Sequence, residues 1–257
     1  MGVPLTWLIP EWPAPPGVRA ACSTRSGGAS PAPFDSLNLG DHVGDAPECV
    51  AANRQAFADA LGARPVFLQQ VHGRDIVRID GNTPDATRAD GCIADAPGIA
   101  CTIMVADCIP VLFTTRRGEV VAAAHAGWRG LAGENGQGIL EAVWERLQRD
   151  RGVETADALA WLGPCIGPGA FEVGPEVKAA FEQQQPAAAT SFRPHRAGKW
   201  LADLPALARQ RLASLGIHAV YGNDGADPWC TASNPSRFFS HRRDGVSGRF
   251  AAAIWRT

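Results

Sequence analysis

Three nearly continuous apolar runs, residues 98–105, 109–114 and 119–125, constrain this chain more than any other feature of its sequence. Runs of this kind, without polar and apolar alternation, read as strands covered on both faces. A chain of 257 residues with 46% hydrophobic content can supply that cover. At this size about 70–75% of the unfolded surface is buried, with no need for disulfides or a metal merely to fold. Such hydrophobicity excludes intrinsic disorder. A formal net charge of −2 argues against nucleic-acid binding through a broad basic face.

Around the three runs, helices and strands alternate irregularly. A helix is expected over residues 46–62: Asp45 and Glu48 resemble a capping box, Pro47 falls in the first turn, and Val50, Phe57 and Leu61 share one face. Strands are expected at 66–71, 75–79, 158–162 and 216–221, with a last pair at 237–241 and 249–255. Further helices are expected at 131–149, 175–184 and 202–215. This order fits an α+β layered domain better than a regular parallel wound sheet, and no internal boundary divides residues 1–257. The segment 26–39, rich in Gly, Ser, Pro and Asn, reads as a long ordered loop of the kind that is often functional.

No apolar run reaches the roughly 18 residues of a membrane helix, and no secretory signal opens the chain. Gly2 with Thr6 matches a short myristoylation pattern, which is permissive and would anchor only weakly. Seven cysteines without paired spacing suggest reduced thiols in a cytoplasmic protein. Of the 24 basic residues only Lys178 and Lys199 are lysines, and neither precedes Ser or Thr, so there is no Walker A loop. The arginine excess suits phosphate or carboxylate recognition, although GC-rich coding produces the same bias.

Three places combine a reactive side chain with turn chemistry at a strand end. His72 follows Leu68-Gln69-Gln70-Val71, the pair Asp107-Cys108 interrupts an apolar stretch, and His125 leads into Ala126-Gly127-Trp128-Arg129-Gly130. An aspartate in a buried strand costs several kcal/mol unless it is paired, so Asp107 is either a backbone staple beside Pro110 or a functional group. Cys108 alone reads equally as core packing, and each histidine as a satisfied strand end. Gly127 and Gly130 let a backbone approach a ligand closely, and Arg129 could add a bidentate phosphate contact. As a set, His72, Cys108 and His125 could hold zinc with one open position. Their separations of 36 and 17 residues match no known spacing signature. Nucleophile-elbow, H-E-x-x-H and C-x-x-C motifs are absent.

Together these segments resemble the YfiH-type laccase-domain family, whose members are also catalogued as polyphenol oxidases and as purine nucleoside phosphorylases. The resemblance runs from Ser23-Thr24-Arg25-Ser26-Gly27-Gly28 and Phe34-Asp35-Ser36-Leu37-Asn38-Leu39-Gly40 through His42-Val43-Gly44-Asp45 and Gln70-Val71-His72-Gly73. It continues with Ala106-Asp107-Cys108-Ile109-Pro110, His125-Ala126-Gly127-Trp128-Arg129-Gly130 and Gly163-Pro164-Cys165-Ile166-Gly167-Pro168. Phe171-Glu172-Val173-Gly174 and Phe239-Ser240-His241-Arg242-Arg243-Asp244-Gly245 complete it, with His241 where Tyr is common.

The resemblance implies a single-domain four-layer α/β/β/α sandwich with mixed sheets. It also implies a zinc site at His72, Cys108 and His125; on a mechanism built there, Asp107 orients a ligand or serves as a base. The implied reaction is phosphorolysis of adenosine, inosine, guanosine and methylthioadenosine, with some deamination of adenosine. Arg25 and Arg129 are candidates to hold phosphate, and Asn38 and Arg243 are further substrate contacts. Six histidines are too few for a multicopper cluster, although copper could occupy the zinc site. Two rivals stay open: a thiol hydrolase acting on peptidoglycan precursors, with Cys108 as nucleophile and His125 as base, and a ligand-binding module without turnover.

Overall fold

A computed structural model describes residue 4 and residues 6–257, so Gly2 of the acylation pattern lies outside the described residues. Strand β1 (Val18–Cys22) and helix α1 (Pro47–Leu61) precede β2 (Arg64–Phe67), β3 (Ile76–Arg78) and β4 (Gly91–Ala94). The three apolar runs become β5 (Ile99–Val105), β6 (Ile109–Thr115) and β7 (Val121–Ala126), buried at every position. Next come α2 (Trp128–Ala132), α3 (Ile139–Arg151), β8 (Ala158–Leu162), β9 (Glu172–Val173) and α4 (Pro175–Glu182). The chain ends with β10 (Phe192–Pro194), β11 (Trp200–Ala202), α5 (Leu204–Ser214), β12 (Val220–Gly222), α6 (His241–Asp244) and β13 (Phe250–Arg256).

One sheet runs β1-β13-β5-β2, with only the β2–β5 pair parallel. The other runs β12-β8-β6-β7-β4-β3, antiparallel inside and parallel at both edges. Side-chain alternation explains why all three runs are apolar throughout. Cys101 and Ile103 of β5 meet Leu112 of β6 and Ala123 of β7 between the sheets. Ala100 and Met104, the opposite face of β5, lie with Phe57 and Leu61 of α1. Val111 and Phe113, the opposite face of β6, lie with Leu140 and Val143 of α3. Each such aliphatic or aromatic side chain gains roughly 1.5–3 kcal/mol on burial.

The structure corrects several boundaries. No capping box starts α1: its N-cap is Ala46, and Asp45 instead accepts from Ser30 Oγ at 2.6 Å and Asn38 Nδ2 at 2.8 Å. The expected helix 131–149 is two helices, because Gly133 at φ +65° ends α2 and α3 starts only at Ile139. The strand expected at 66–71 stops at Phe67, since the Gln70 side chain takes the Met104 backbone and the next three N–H groups turn to Asp90. Residues 237–241 form no strand; Ser240 Oγ accepts from Arg243 N and starts α6. The fourth expected helix begins at Leu204, capped by Asp203, because Trp200–Ala202 pairs in a small antiparallel sheet β10-β11-β9.

Candidate metal centre and its cleft

Strand register assembles the site. Because β7 runs antiparallel to β4 and β6, Gly91 lies opposite Ala124 and Ile109 opposite Ala126. The residue before β4, the residue before β6 and the penultimate residue of β7 therefore share one end of the sheet. These are Asp90, Cys108 and His125. The Asp90 carboxylate then accepts the N–H groups of Val71, His72 and Gly73 at 2.7–3.1 Å, which folds the segment after β2 over the same end. His72 and Asp107 both adopt positive φ, +59° and +93°, a backbone conformation that non-glycine residues hold chiefly where the surroundings enforce it.

His72 Nε2 lies 3.7 Å from Cys108 Sγ, and the two imidazole rings meet edge to face at 4.7 Å. One donor atom from each of His72, Cys108 and His125 lies within 4.8 Å of the others. Zinc bonds of about 2.0 Å to nitrogen and 2.3 Å to sulfur would separate tetrahedral donors by about 3.3–3.5 Å. His125 Nδ1 donates to Asp90 at 2.9 Å, leaving Nε2 as its free donor atom. A Cβ on Gly127 would stand 2.8 Å from His72 Cδ2 and 2.9 Å from Cys108 Sγ. Only glycine leaves these side chains where they are, and the residues present fit a metal such as zinc.

Burial disfavours charge on both Cys108 and His125, yet their mutual attraction prevails. The Cys108 thiol is pulled down to about 6 by the two histidines. His125 is raised to about 9, through the Cys108 charge and the Asp90 hydrogen bond. Asp90, although burial raises it, is held below the usual carboxylate range by His125 and the backbone N–H groups it accepts.

The three donors open into a cleft of about 370 Å³, within the range of small-molecule sites. Arg129, Arg242, Arg249 and His241 also line it. Burial draws Arg249 below its ordinary pKa, opposed by the nearby Cys108 and Asp107.

A family model described as multi-copper polyphenol oxidoreductase laccase matches residues 19–257. The chain belongs to this laccase-domain family. A Pseudomonas aeruginosa member named purine nucleoside phosphorylase is 50% identical over 97% of this chain and 98% of its own length. A second, purine nucleoside phosphorylase YfiH of Escherichia coli, is 46% identical over 96% and 98%. Among solved structures, the Neisseria meningitidis protein NMB0706 superposes with a TM-score of 0.87 at 44% identity, covering 98% of this chain and 99% of that one. Bacillus licheniformis YfiH gives 0.85 at 31%, covering 93% of each.

Within this laccase-domain chain, the structure brings together His72, Cys108, His125, Asp107 and Arg129 of the sequence-derived candidates. The other three lie outside the cleft lining. Arg25 is engaged by Asp35 and the Pro235 carbonyl and stacks 4.7 Å from the Phe239 ring. Arg243 is tied to Asp244 and to the carbonyls of Thr231 and Phe238. Asn38 has every amide valence used, by Gly40, Asp45 and Arg249 N. Asp107 borders the cleft, but its carboxylate already accepts from Thr231 Oγ1 at 2.6 Å and Arg242 N at 2.7 Å.

Asp90, Arg242 and Arg249 escaped the sequence reading. For Asp90 the signal was present: an acid opening the apolar stretch Gly91-Cys92-Ile93-Ala94 needs a partner as much as Asp107 does. The family description names several coppers, whereas among the described residues a single group of three could hold a metal. That group is two imidazoles and a thiolate, a set that suits zinc and also accepts copper. Among the described residues no helix is long and apolar enough to cross a membrane.

Proposed function

We propose that this chain is a zinc-dependent purine nucleoside phosphorylase acting on adenosine, inosine, guanosine and methylthioadenosine. The observation that carries the reading is a His₂Cys donor set opening into a cleft lined by three arginines. The names of the Pseudomonas and Escherichia relatives support it. The sheet and helix layers around three cores support its setting, one α/β/β/α domain spanning residues 1–257.

In phosphorolysis a phosphate oxygen bonds to C1′ as the C1′–N9 bond breaks. The bonding pair leaves with the purine, which then takes a proton. His72, Cys108 and His125 would hold the metal, with Asp90 fixing the His125 ring. Zinc held there would supply a Lewis acid. The cleft arginines hold phosphate and orient it, offsetting negative charge where it would otherwise resist approach. Asp107 positions Arg242 through the backbone bond at 2.7 Å. His241 lines the cleft and would deliver the proton to the departing base. Deamination of adenosine, in which water adds at C6 and ammonia leaves, belongs to the same reading as a side activity.

A thiol hydrolase is the second reading, and the depressed Cys108 thiol beside two imidazoles favours it specifically. Incubating zinc-loaded protein with adenosine, with and without phosphate, separates the two. Phosphate-dependent adenine, lost in Cys108→Ala, is the expected product. Absence of adenine and inosine from fully loaded protein would defeat the nucleoside reading.

A further inference from the structure

The segment before β1 runs back along the outer edge of that strand but bonds to it only at two places. Leu8 exchanges both backbone hydrogen bonds with Cys22, at 2.9 and 2.8 Å, and Val18 N donates to the Pro15 carbonyl at 2.8 Å. In an antiparallel ladder every second residue turns its N–H and C=O to the same side. Gly17 and Ser23 turn towards β13, where they bond to Thr257 and Ala251. Val18, Ala20 and Cys22 therefore face the outer edge. Neither the N–H nor the C=O of Ala20 has a partner among the described residues.

The gap originates at Pro10. Continuing the Leu8–Cys22 register would set Pro10 opposite Ala20, and proline has no N–H to give. The segment leaves the strand there, and a cavity of about 710 Å³ opens beside Ala20. Pro10, Trp12 and Pro15 line it on one side, and Leu61 of α1 and Trp255 of β13 on the other. It shares no lining residue with the metal cleft. Val105 lines that cleft and pairs with Phe250, whereas Trp255 pairs with Ala100, so the two spaces lie at opposite ends of β5.

Three features restrict what this cavity can hold. The segment already occupies the edge beside Cys22 and Val18, which blocks a peptide strand running through and leaves room for a compact molecule at Ala20. The N–H and C=O of one extended residue point the same way, so they match an acceptor adjacent to a donor. Arg19 is the only charged residue in the lining, and tryptophan and proline walls suit a flat, uncharged body. Adenine, with N1 beside its N6 amine, and hypoxanthine, with O6 beside N1–H, both present such an edge. The walls are held from behind: Trp12 packs against the core between the sheets, and Leu61 and Trp255 belong to the core under α1.

We propose that this cavity is a second, non-catalytic site for a free purine base, read by the N–H and C=O of Ala20. The choice of a purine among compounds with this edge rests on the phosphorylase reading, in which a purine is the product; the open donor and acceptor do not.

Equilibrium dialysis of radiolabelled adenine against the full zinc-loaded chain counts the bases bound. Ala20→Pro deletes the outward N–H at an edge position where no bond to β13 is lost. It should weaken cavity binding about tenfold, as expected when one hydrogen bond is lost and its partner left unmet. Ala60→Trp, at the half-exposed end of α1, fills the cavity and should lower the count by one base per chain. That variant decides the matter if Ala20→Pro fails to fold. Indole, flat but without an acceptor beside its N–H, should not displace the cavity base. Adenine binding in both variants equal to that of the unaltered chain would overturn the site. Displacement by indole as effective as that by unlabelled adenine would overturn recognition through the Ala20 edge. Adenine binding that both variants weaken, with no base released from any nucleoside, would remove the phosphorylase reading and leave the cavity site standing.

Discussion

With Nδ1 committed to Asp90 at 2.9 Å, His125 can offer a metal only Nε2, so one hydrogen bond sets both the tautomer and the aim of the ring. The same carboxylate holds the backbone of Val71, His72 and Gly73, and thereby orients a second donor. Asp90→Asn keeps the volume but replaces one acceptor oxygen with an amide donor. It also removes the charge that stabilises three N–H groups. Zinc affinity should fall about 10–100-fold, the range for losing an outer partner of a ligating histidine. Competition against a chromophoric chelator measures it, and an affinity equal to that of the unaltered protein would reduce Asp90 to a fold determinant.

At the level of elements, the turn that ends α2 and begins α3 depends on one buried ion pair. Arg211 of α5 meets Glu141 of α3 at 3.0 Å and donates to the carbonyls of Ala132 and Gly136, while Glu141 also accepts from Gly138 N. Three separate elements are thereby joined behind the cleft wall. Arg211→Met should cost about 3–5 kcal/mol in denaturant unfolding, because it strands a buried carboxylate. Arg211→Met with Glu141→Gln should recover part of that loss. Equal destabilisation by both would mean that the arginine stem, not the charge, matters. This junction was invisible in the sequence. The sequence suggested one helix over residues 131–149, whereas Gly133 stops a helix and Gly127 clears space for His72 and Cys108. Strands β5 to β7 were legible because burial on both faces writes itself into their composition. By contrast β1 carries Arg19 at its second position and β4 has four residues, and they are held as strands by pairing, β1 with β13 and β4 with β3 and β7. The donors His72, Cys108 and His125 were legible as misfits at strand ends. Arg242 and Arg249 were not, since only the folded chain shows which of many scattered arginines line the cleft.

On the scale of the whole molecule, the three donors come from different parts of the sandwich. His72 follows β2 of the four-stranded sheet, Cys108 sits in the turn that carries the chain from β5 to β6 in the facing sheet, and His125 lies on β7. A metal held by all three therefore ties the two sheets together at one end, beside the turn at Asp107 and the Asp90 hydrogen bonds. An unfolded chain has no such juxtaposition, so metal binding must add to folding stability by mass action. At free zinc about a hundred times the Kd, the gain is about 2.7 kcal/mol. For a chain of this size that corresponds to a rise of about 5–10 °C in Tm. Differential scanning calorimetry of metal-free and zinc-loaded protein should show this shift growing with the logarithm of zinc concentration. Cys108→Ser should largely abolish it, since a hydroxyl is a far poorer zinc ligand than a thiolate. A Tm indifferent to zinc in the unaltered protein would mean that the three side chains do not act as a metal site. Cys108, with its depressed pKa, would then be left free to serve as a nucleophile.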